Sequence, residues 1–269
     1  MQNRWVLISQ SKALIALLFL ILLSGCAPKS EEEEEEEDDV VTASSSTSST
    51  SWRNSNLPLT LKTATAFSAA ERTVAGDMMT QWDAADSRDY YASVSTTSNK
   101  TYSNLNDYAD GEFGIYKITD WNSSLPGSAL AITQIFGEVI GSQIIITHAD
   151  ILVNYDNFSF DTSTGGAGYD LSTVLLHEMG HFLGLGHQSL SISDSIMTSA
   201  ITADNEQLTL LSVDISSIQS LYNIAPSLTA EDKFDSVYSD SGEKLKTGTR
   251  VRIHHQLNAD YSCSVKIIK

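Results

Sequence analysis

The chain has 269 residues, enough for one domain of ordinary size with extensions, and a formal net charge of −18. That acidity argues against nucleic acid as a partner, because a polyanion would be repelled. Only two cysteines occur, Cys26 and Cys263, and a disulfide between them would have to join the extreme ends.

Arg4 and Lys12 precede an apolar run over residues 13–23. Eleven apolar residues are too few to span a bilayer and fit the h-region of a signal peptide. The run stops at Leu23-Ser24-Gly25-Cys26, which resembles the bacterial lipobox, where the cysteine thiol receives diacylglycerol and becomes the mature N-terminus. A short anchor helix or an ordinary secretory signal is the competing reading, but the small-x-small cleavage site of the latter is missing. The expectation is a signal peptide over residues 1–25 and a lipidated Cys26. Several acyl chains on one residue, each buried CH₂ contributing ~0.8 kcal/mol, would hold the protein to a membrane without spanning it. Ala27 follows the cysteine, where Asp would suggest inner-membrane retention. The expected location is therefore the bacterial cell envelope, with the outer membrane or cell surface favoured.

Residues 26–51 read as a tether. Nine consecutive acids, Glu31 to Asp39, repel one another, and Ser or Thr fills nine of the ten positions 42–51. The folded domain is expected over residues 52–225. Residues 57–62 alternate weakly and suggest a first strand. Ser68-Ala69-Ala70-Glu71 is a capping box opening a helix to about Ala85, with Val74, Met78 and Trp82 on its core face. Strands are expected at 90–95, 113–118, 129–136 and 144–153. A Gly-rich loop follows at 162–168, and Leu171 starts another helix. This order predicts a mixed α/β (α+β) domain with that helix across a twisted sheet.

The helix carries the most informative feature, His177-Glu178-Met179-Gly180-His181-Phe182-Leu183-Gly184-Leu185-Gly186-His187. His177 and His181, four residues apart, share one helix face and can reach one ion. Gly184 can adopt the left-handed conformation that ends the helix and lets the chain return His187. Three neutral imidazoles on one Zn²⁺ leave a fourth position open for water, as in catalytic sites. Glu178 lies beside the metal, placed to act as general base. Two surface histidines on a solvated helix are the bland alternative, and the extra Gly and third His at fixed offsets weigh against it. Ten residues on, Met197 sits in Ser195-Ile196-Met197-Thr198.

The H-E-x-x-H-x-x-G-x-x-H motif with that methionine resembles the metzincins and their Met-turn, and residues 170–223 resemble the matrixin branch, relatives of matrix metalloproteinases. The resemblance implies a zinc endopeptidase acting on proteins or peptides, with one catalytic Zn²⁺ on His177, His181 and His187, Glu178 as catalytic base and Asp214 to Tyr222 in a C-terminal helix. There are departures. Gln188 follows the third histidine where matrixins often carry Ser. Ser199, in place of a zinc-proximal Tyr, favours the matrixin branch. Val213 replaces the first of two acids that often open the last helix, leaving Asp214. The lost acid implies activity without removal of a matrixin-type propeptide. His148 lacks companions for a second, structural zinc and is expected to hydrogen-bond on the sheet. Calcium is left open: Asp161 and Asp170 could offer oxygens, but no D-x-D-x-D-G loop is present.

Residues 226–269 read as a C-terminal extension with short strands at 251–254 and 264–268, a small β appendage. His254 and His255 would face opposite sides of a strand and read as surface residues. Cys263 reads as a small buried hydrophobe and not as a zinc-blocking cysteine, because the matrixin cysteine-switch segment lies upstream. Two other functions compete with the peptidase: a non-catalytic surface-binding lipoprotein, and a zinc amidase acting on cell-wall peptides. Retention of Glu178 with all three histidines weighs against the first. Oligomeric state is left open.

Overall fold

The computed structural model describes residues 49–163, 165–188, 195–199, 209–223, 237 and 239–269. Ten strands and three helices follow in chain order: β1 (Thr50–Ser51), β2 (Lys62–Ala64), α1 (Ala69–Asp83), β3 (Ser95–Thr97), β4 (Gly114–Ile118), β5 (Ala129–Ile140), β6 (Gln143–Asn154), β7 (Phe160–Asp161), β8 (Tyr169–Asp170), α2 (Leu171–Phe182), α3 (Ser212–Asn223), β9 (Arg250–Asn258) and β10 (Cys263–Ile268). The main sheet runs β10-β9-β5-β6-β4-β2-β3, with β1 also paired to β6, and β7 and β8 form a separate two-stranded piece. β2, β3, β4 and β6 pair in parallel; β5 is antiparallel to both β6 and β9. This is the mixed α/β architecture expected. Among the described residues no helix is long and apolar enough to cross a membrane.

β5 and β6 are the spine of the sheet, and their apolar runs bury Leu130, Ile132, Ile135, Ile151 and Val153. A strand buried on both faces reads as continuous hydrophobicity, which is how these two show in the sequence. The strand expected at 57–62 begins only at Lys62, as β2, and Leu59 makes only an isolated bridge to Tyr91. Pro58 has no amide hydrogen for a ladder. The strand expected at 90–95 likewise shifts to Ser95–Thr97. The capping box forms as read: Ser68 accepts from the Glu71 amide, and Glu71 accepts from the Ser68 amide.

Every residue of α2 is buried. A buried helix end leaves carbonyls without partners, a cost of about 1–3 kcal/mol each unless something donates to them. Here aromatic side chains donate to two such end carbonyls, of Phe182 and Leu183, and add donors to those of Met179, which also accepts from the Leu183 amide, and of Leu176 inside the helix. Trp52 Nε1 donates to the Phe182 carbonyl at 2.7 Å, Tyr91 to Met179 at 3.0 Å, Tyr222 to Leu183 at 2.6 Å and Trp82 Nε1 to Leu176 at 3.0 Å. The N-terminus is capped by Asp170, whose carboxylate accepts from the Thr173 amide at 2.7 Å. Four aromatic residues from separate segments therefore fix α2 in depth and rotation.

The C-terminal strands are longer than expected and are no appendage. β9 pairs with β5 from Ala129↔Asn258 to Glu138↔Arg250, and β10 pairs with β9. Val251, Ile253 and Leu257 join the main core, so burial, not a separate small domain, accounts for their pattern. At the other end, Thr50 and Ser51, read as the last of the tether, pair with Ile144 and Ile145. Cys26, the signal segment and the acidic run lie outside the described residues.

Candidate metal centre

The two helix histidines come together as their spacing requires. His181 Nε2 lies 2.9 Å from His177 Nε2 and 3.0 Å from His187 Nε2. The other ring nitrogens are committed: His177 Nδ1 meets the Ile196 carbonyl at 2.7 Å, and His181 Nδ1 meets the Leu185 carbonyl at 2.7 Å. A carbonyl only accepts, so each Nδ1 carries the proton and each Nε2 presents a lone pair. For His177 and His181 that fixes the tautomer a metal needs.

The turn that returns His187 depends on Gly184, at φ 98°, where a Cβ would lie 2.2 Å from the Thr50 carbonyl oxygen. Both the left-handed backbone and the close approach demand glycine. Gly180 has a different reason. A Cβ there would lie 2.4 Å from Met197 Sδ, so the fully buried Met197 packs directly on the helix backbone between His177 and His181. The Met197 segment is pinned by Asp214 of α3. Its carboxylate accepts from the Ser195 hydroxyl, from the Ile196 amide at 3.1 Å and from the Leu211 amide at 2.9 Å. Ile196 in turn orients His177, so α3 reaches the centre through one loop. Gln188 bridges to Thr198 and its side chain donates to Ser217 on α3 at 3.0 Å.

Burial makes the imidazoles poor bases toward protons. It pulls His177 down to about 4 and His187 to about 2, and it takes His181 well below the usual range with neighbouring imidazoles adding to the effect. All three are neutral near pH 7, the form that ligates. Glu178 is pushed the other way, up to about 8, by burial that the Thr133 hydroxyl partly offsets. Thr133, on β5, lies against both the Glu178 carboxylate and its backbone carbonyl, the latter at 3.0 Å. The Leu257 amide of β9 faces the same carboxylate, while Oε1 is buried without a hydrogen-bond partner.

These residues fit a zinc ion. Three converging lone pairs repel one another unless a cation lies between them. Zn–N distances near 2.0–2.1 Å at tetrahedral angles separate the nitrogens by about 3.3–3.4 Å. The rings would need to spread by only a few tenths of an ångström from their present 2.9 and 3.0 Å. Glu178 stands beside the cluster and outside it.

Several neighbours were not legible as site residues. His254 and His255, read as surface residues, are buried, though they do face opposite sides. His254 Nε2 meets Gln134 at 3.1 Å, whereas the His255 ring stacks on His181 with centroids 4.1 Å apart. The reason is the sheet: β9 is an interior strand and both its faces are covered. Cys263, read as clear of the zinc site, has its Sγ 3.6 Å from His177 Nε2. Pairing across the sheet brings residues 86 positions apart together, and no local pattern encodes that. Thr133 carried no signal beyond its place in a strand. His148 hydrogen-bonds on the sheet as expected, to Asp150 at 2.8 Å. Asp161 and Asp170 each hold a backbone amide, of Gly168 and Thr173 respectively.

Comparison with known proteins gives consistent findings. The matrixin family model matches residues 51–223, the greater part of the chain. Metalloendoproteinase 4-MMP of Arabidopsis thaliana is 32% identical over 93 residues, covering 35% of this chain and 26% of that protein. Metalloendoproteinase 2-MMP of the same plant is 43% identical over 60 residues, covering 22% and 15%. The match therefore spans about a quarter or less of these relatives. Among solved structures, high choriolytic enzyme 1, a hatching enzyme zinc-protease from Oryzias latipes, aligns over 66% of this chain and 96% of its own, at 12% identity and a TM-score of 0.32. That likeness is too slight to build on.

Proposed function

The chain belongs to the matrixin family, and from that premise we propose that it is a zinc endopeptidase that hydrolyses peptide bonds of proteins and is held at a bacterial cell envelope by a lipid on Cys26. The observation that carries the catalytic part is the convergence of the Nε2 atoms of His177, His181 and His187 next to the buried Glu178 carboxylate, which Thr133 holds. When bound, zinc supplies a Lewis acid for the scissile carbonyl and makes a water more acidic. His177, His181 and His187 would hold it. Glu178 takes a proton from the attacking water and passes it to the leaving nitrogen. A buried carboxylate raised toward neutrality is suited to both transfers, and a neighbouring dication would draw its affinity for protons back down. Thr133 holds the carboxylate in place.

The anchoring part is supported by Leu23-Ser24-Gly25-Cys26 after an eleven-residue apolar run. Residues 27–48 could reach on the order of 70 Å if fully extended, so the centre could act on neighbouring envelope proteins.

Metal analysis and casein cleavage test the first part. The expected result is one Zn²⁺ per chain, kept by Glu178→Ala, with activity reduced by about 10²–10⁴-fold. Full activity in that variant, or no zinc uptake, would overturn the assignment. Labelling with a fatty-acid analogue tests the second. Label on the wild type and none on Cys26→Ser is expected; equal labelling of both would refute the anchor.

A further inference from the structure

A peptide must reach the three histidines, and β9 with β10 stand in its way. β9 fills the outer edge of β5, the strand that carries Thr133. The Leu257 amide faces Glu178, and the His255 ring lies on His181 with an interplanar angle of 19°. His177, Glu178 and His181 are each 0% exposed. In this arrangement no substrate can touch the base.

Cys263 completes the cover. Ligand atoms of His177, His187 and Cys263 all lie within 4.8 Å of one another. A tetrahedral ion with Zn–N of 2.0–2.1 Å and Zn–S of 2.3 Å separates sulfur from nitrogen by about 3.5 Å. The Sγ of Cys263 is 3.6 Å from His177 Nε2. Its backbone is fixed to the Met197 loop, the Cys263 amide donating to the Ser199 carbonyl at 2.9 Å. The turn that delivers it holds Tyr261 at φ 60°. A non-glycine residue in that left-handed region costs about 1–3 kcal/mol and persists only where its surroundings impose it. The Tyr169 ring, 5.6 Å from that of Tyr261, and the Tyr169 hydroxyl on the Ala259 carbonyl are part of those surroundings. Glu178 Oε1 and His255 Nδ1 are also buried there without hydrogen-bond partners.

We propose that Cys263 is the fourth protein ligand of the ion held by His177, His181 and His187, so that the β9–β10 hairpin keeps the centre shut from within the chain. This rests on the zinc reading above. On binding, the thiol gives its proton to solvent and a sulfur lone pair forms the bond to the ion. Four protein ligands are the closed, structural pattern; three with an open place are the catalytic one. Opening reverses the step, with the sulfur taking back a proton as the turn moves away, and needs no oxidant. His255 also brings a ligand atom within 4.8 Å of those of His181 and His187. Its ring lies flat against His181, so it serves as a wall.

The test uses the full chain loaded with Co²⁺. A near-ultraviolet thiolate-to-cobalt charge-transfer band is expected in the wild type and absent in Cys263→Ser and Cys263→Ala. X-ray absorption of the zinc form should show one sulfur at about 2.3 Å. Casein cleavage should rise about tenfold or more in Cys263→Ala, because activity follows the fraction of open molecules. Cobalt bound by the wild type without the band would overturn the ligand and leave the zinc reading standing. No uptake of either metal would overturn both. Equal cleavage by the wild type and Cys263→Ala would overturn the closure.

Discussion

In the proposed mechanism two demands meet at Glu178: it takes up a proton, and its pocket has removed its water. Thr133 mediates between them, since its hydroxyl lowers the proton affinity that burial raises. Thr133→Val removes that restraint without removing bulk. The expected outcome is a fall in kcat of about 10- to 100-fold, with the acid limb of the pH–rate profile moving to higher pH. An unmoved profile would show that Thr133 only packs. The histidines give a second expectation, for the metal-free chain. His177 is about 4 when folded against an ordinary 6.5, so the unfolded chain binds the proton more readily. Its contribution, on the order of 3 kcal/mol, is present above pH 6.5 and lost as pH falls through about 4. Thermal melts of the apo protein should drop across that window, whereas the same melting temperature at both ends would contradict it. That His177, His181 and His187 converge with Glu178 next to them was readable from spacing alone. Thr133 was not, because its partner lies 45 residues away.

At the scale of elements, the helices were the most readable. The capping box of α1 and the glycine that ends α2 are local chemistry and form as read. The strand near Pro58 starts late because that residue has no amide hydrogen for a ladder, and the one near Tyr91 shifts because its pairing with β2 begins only at Ser95. α3 shows how an element acts at a distance. Asp214→Ala would leave the buried Ser195 hydroxyl and Ile196 amide, and the partly buried Leu211 amide, without this acceptor. At about 1–3 kcal/mol for each, denaturant unfolding should show a loss of about 3 kcal/mol or more. Zinc affinity should fall by about 10- to 100-fold, because Ile196 no longer orients His177. Unchanged zinc binding would separate α3 from the centre. Gly180→Ala tests the contact between α2 and Met197. A methyl group 2.4 Å from Met197 Sδ should cost about 1–3 kcal/mol, even though alanine is the better helix former. A stabilised variant would mean the methionine yields freely.

For the whole molecule, the sheet sets the limits of the domain. A chain ending at Asn223 keeps the zinc motif and α3 but uncovers the edge of β5 and loses the burial of Val251, Ile253 and Leu257. Each such side chain contributes about 1.5–3 kcal/mol. The truncated chain should melt lower and aggregate through the open edge. A melting temperature equal to that of the full chain would show that residues 224–269 are dispensable to the fold. The sequence by itself determined the metal chemistry, the helix that carries it and the mixed α/β class, because these rest on short-range spacing and periodicity. Only the tertiary structure decided that β9 is an interior strand, that His255 and Cys263 stand over His181 and His177 and that Thr133 holds the Glu178 carboxylate. Those placements depend on contacts between distant segments, with strand pairing that joins residues up to 129 positions apart, which no local window of the chain contains.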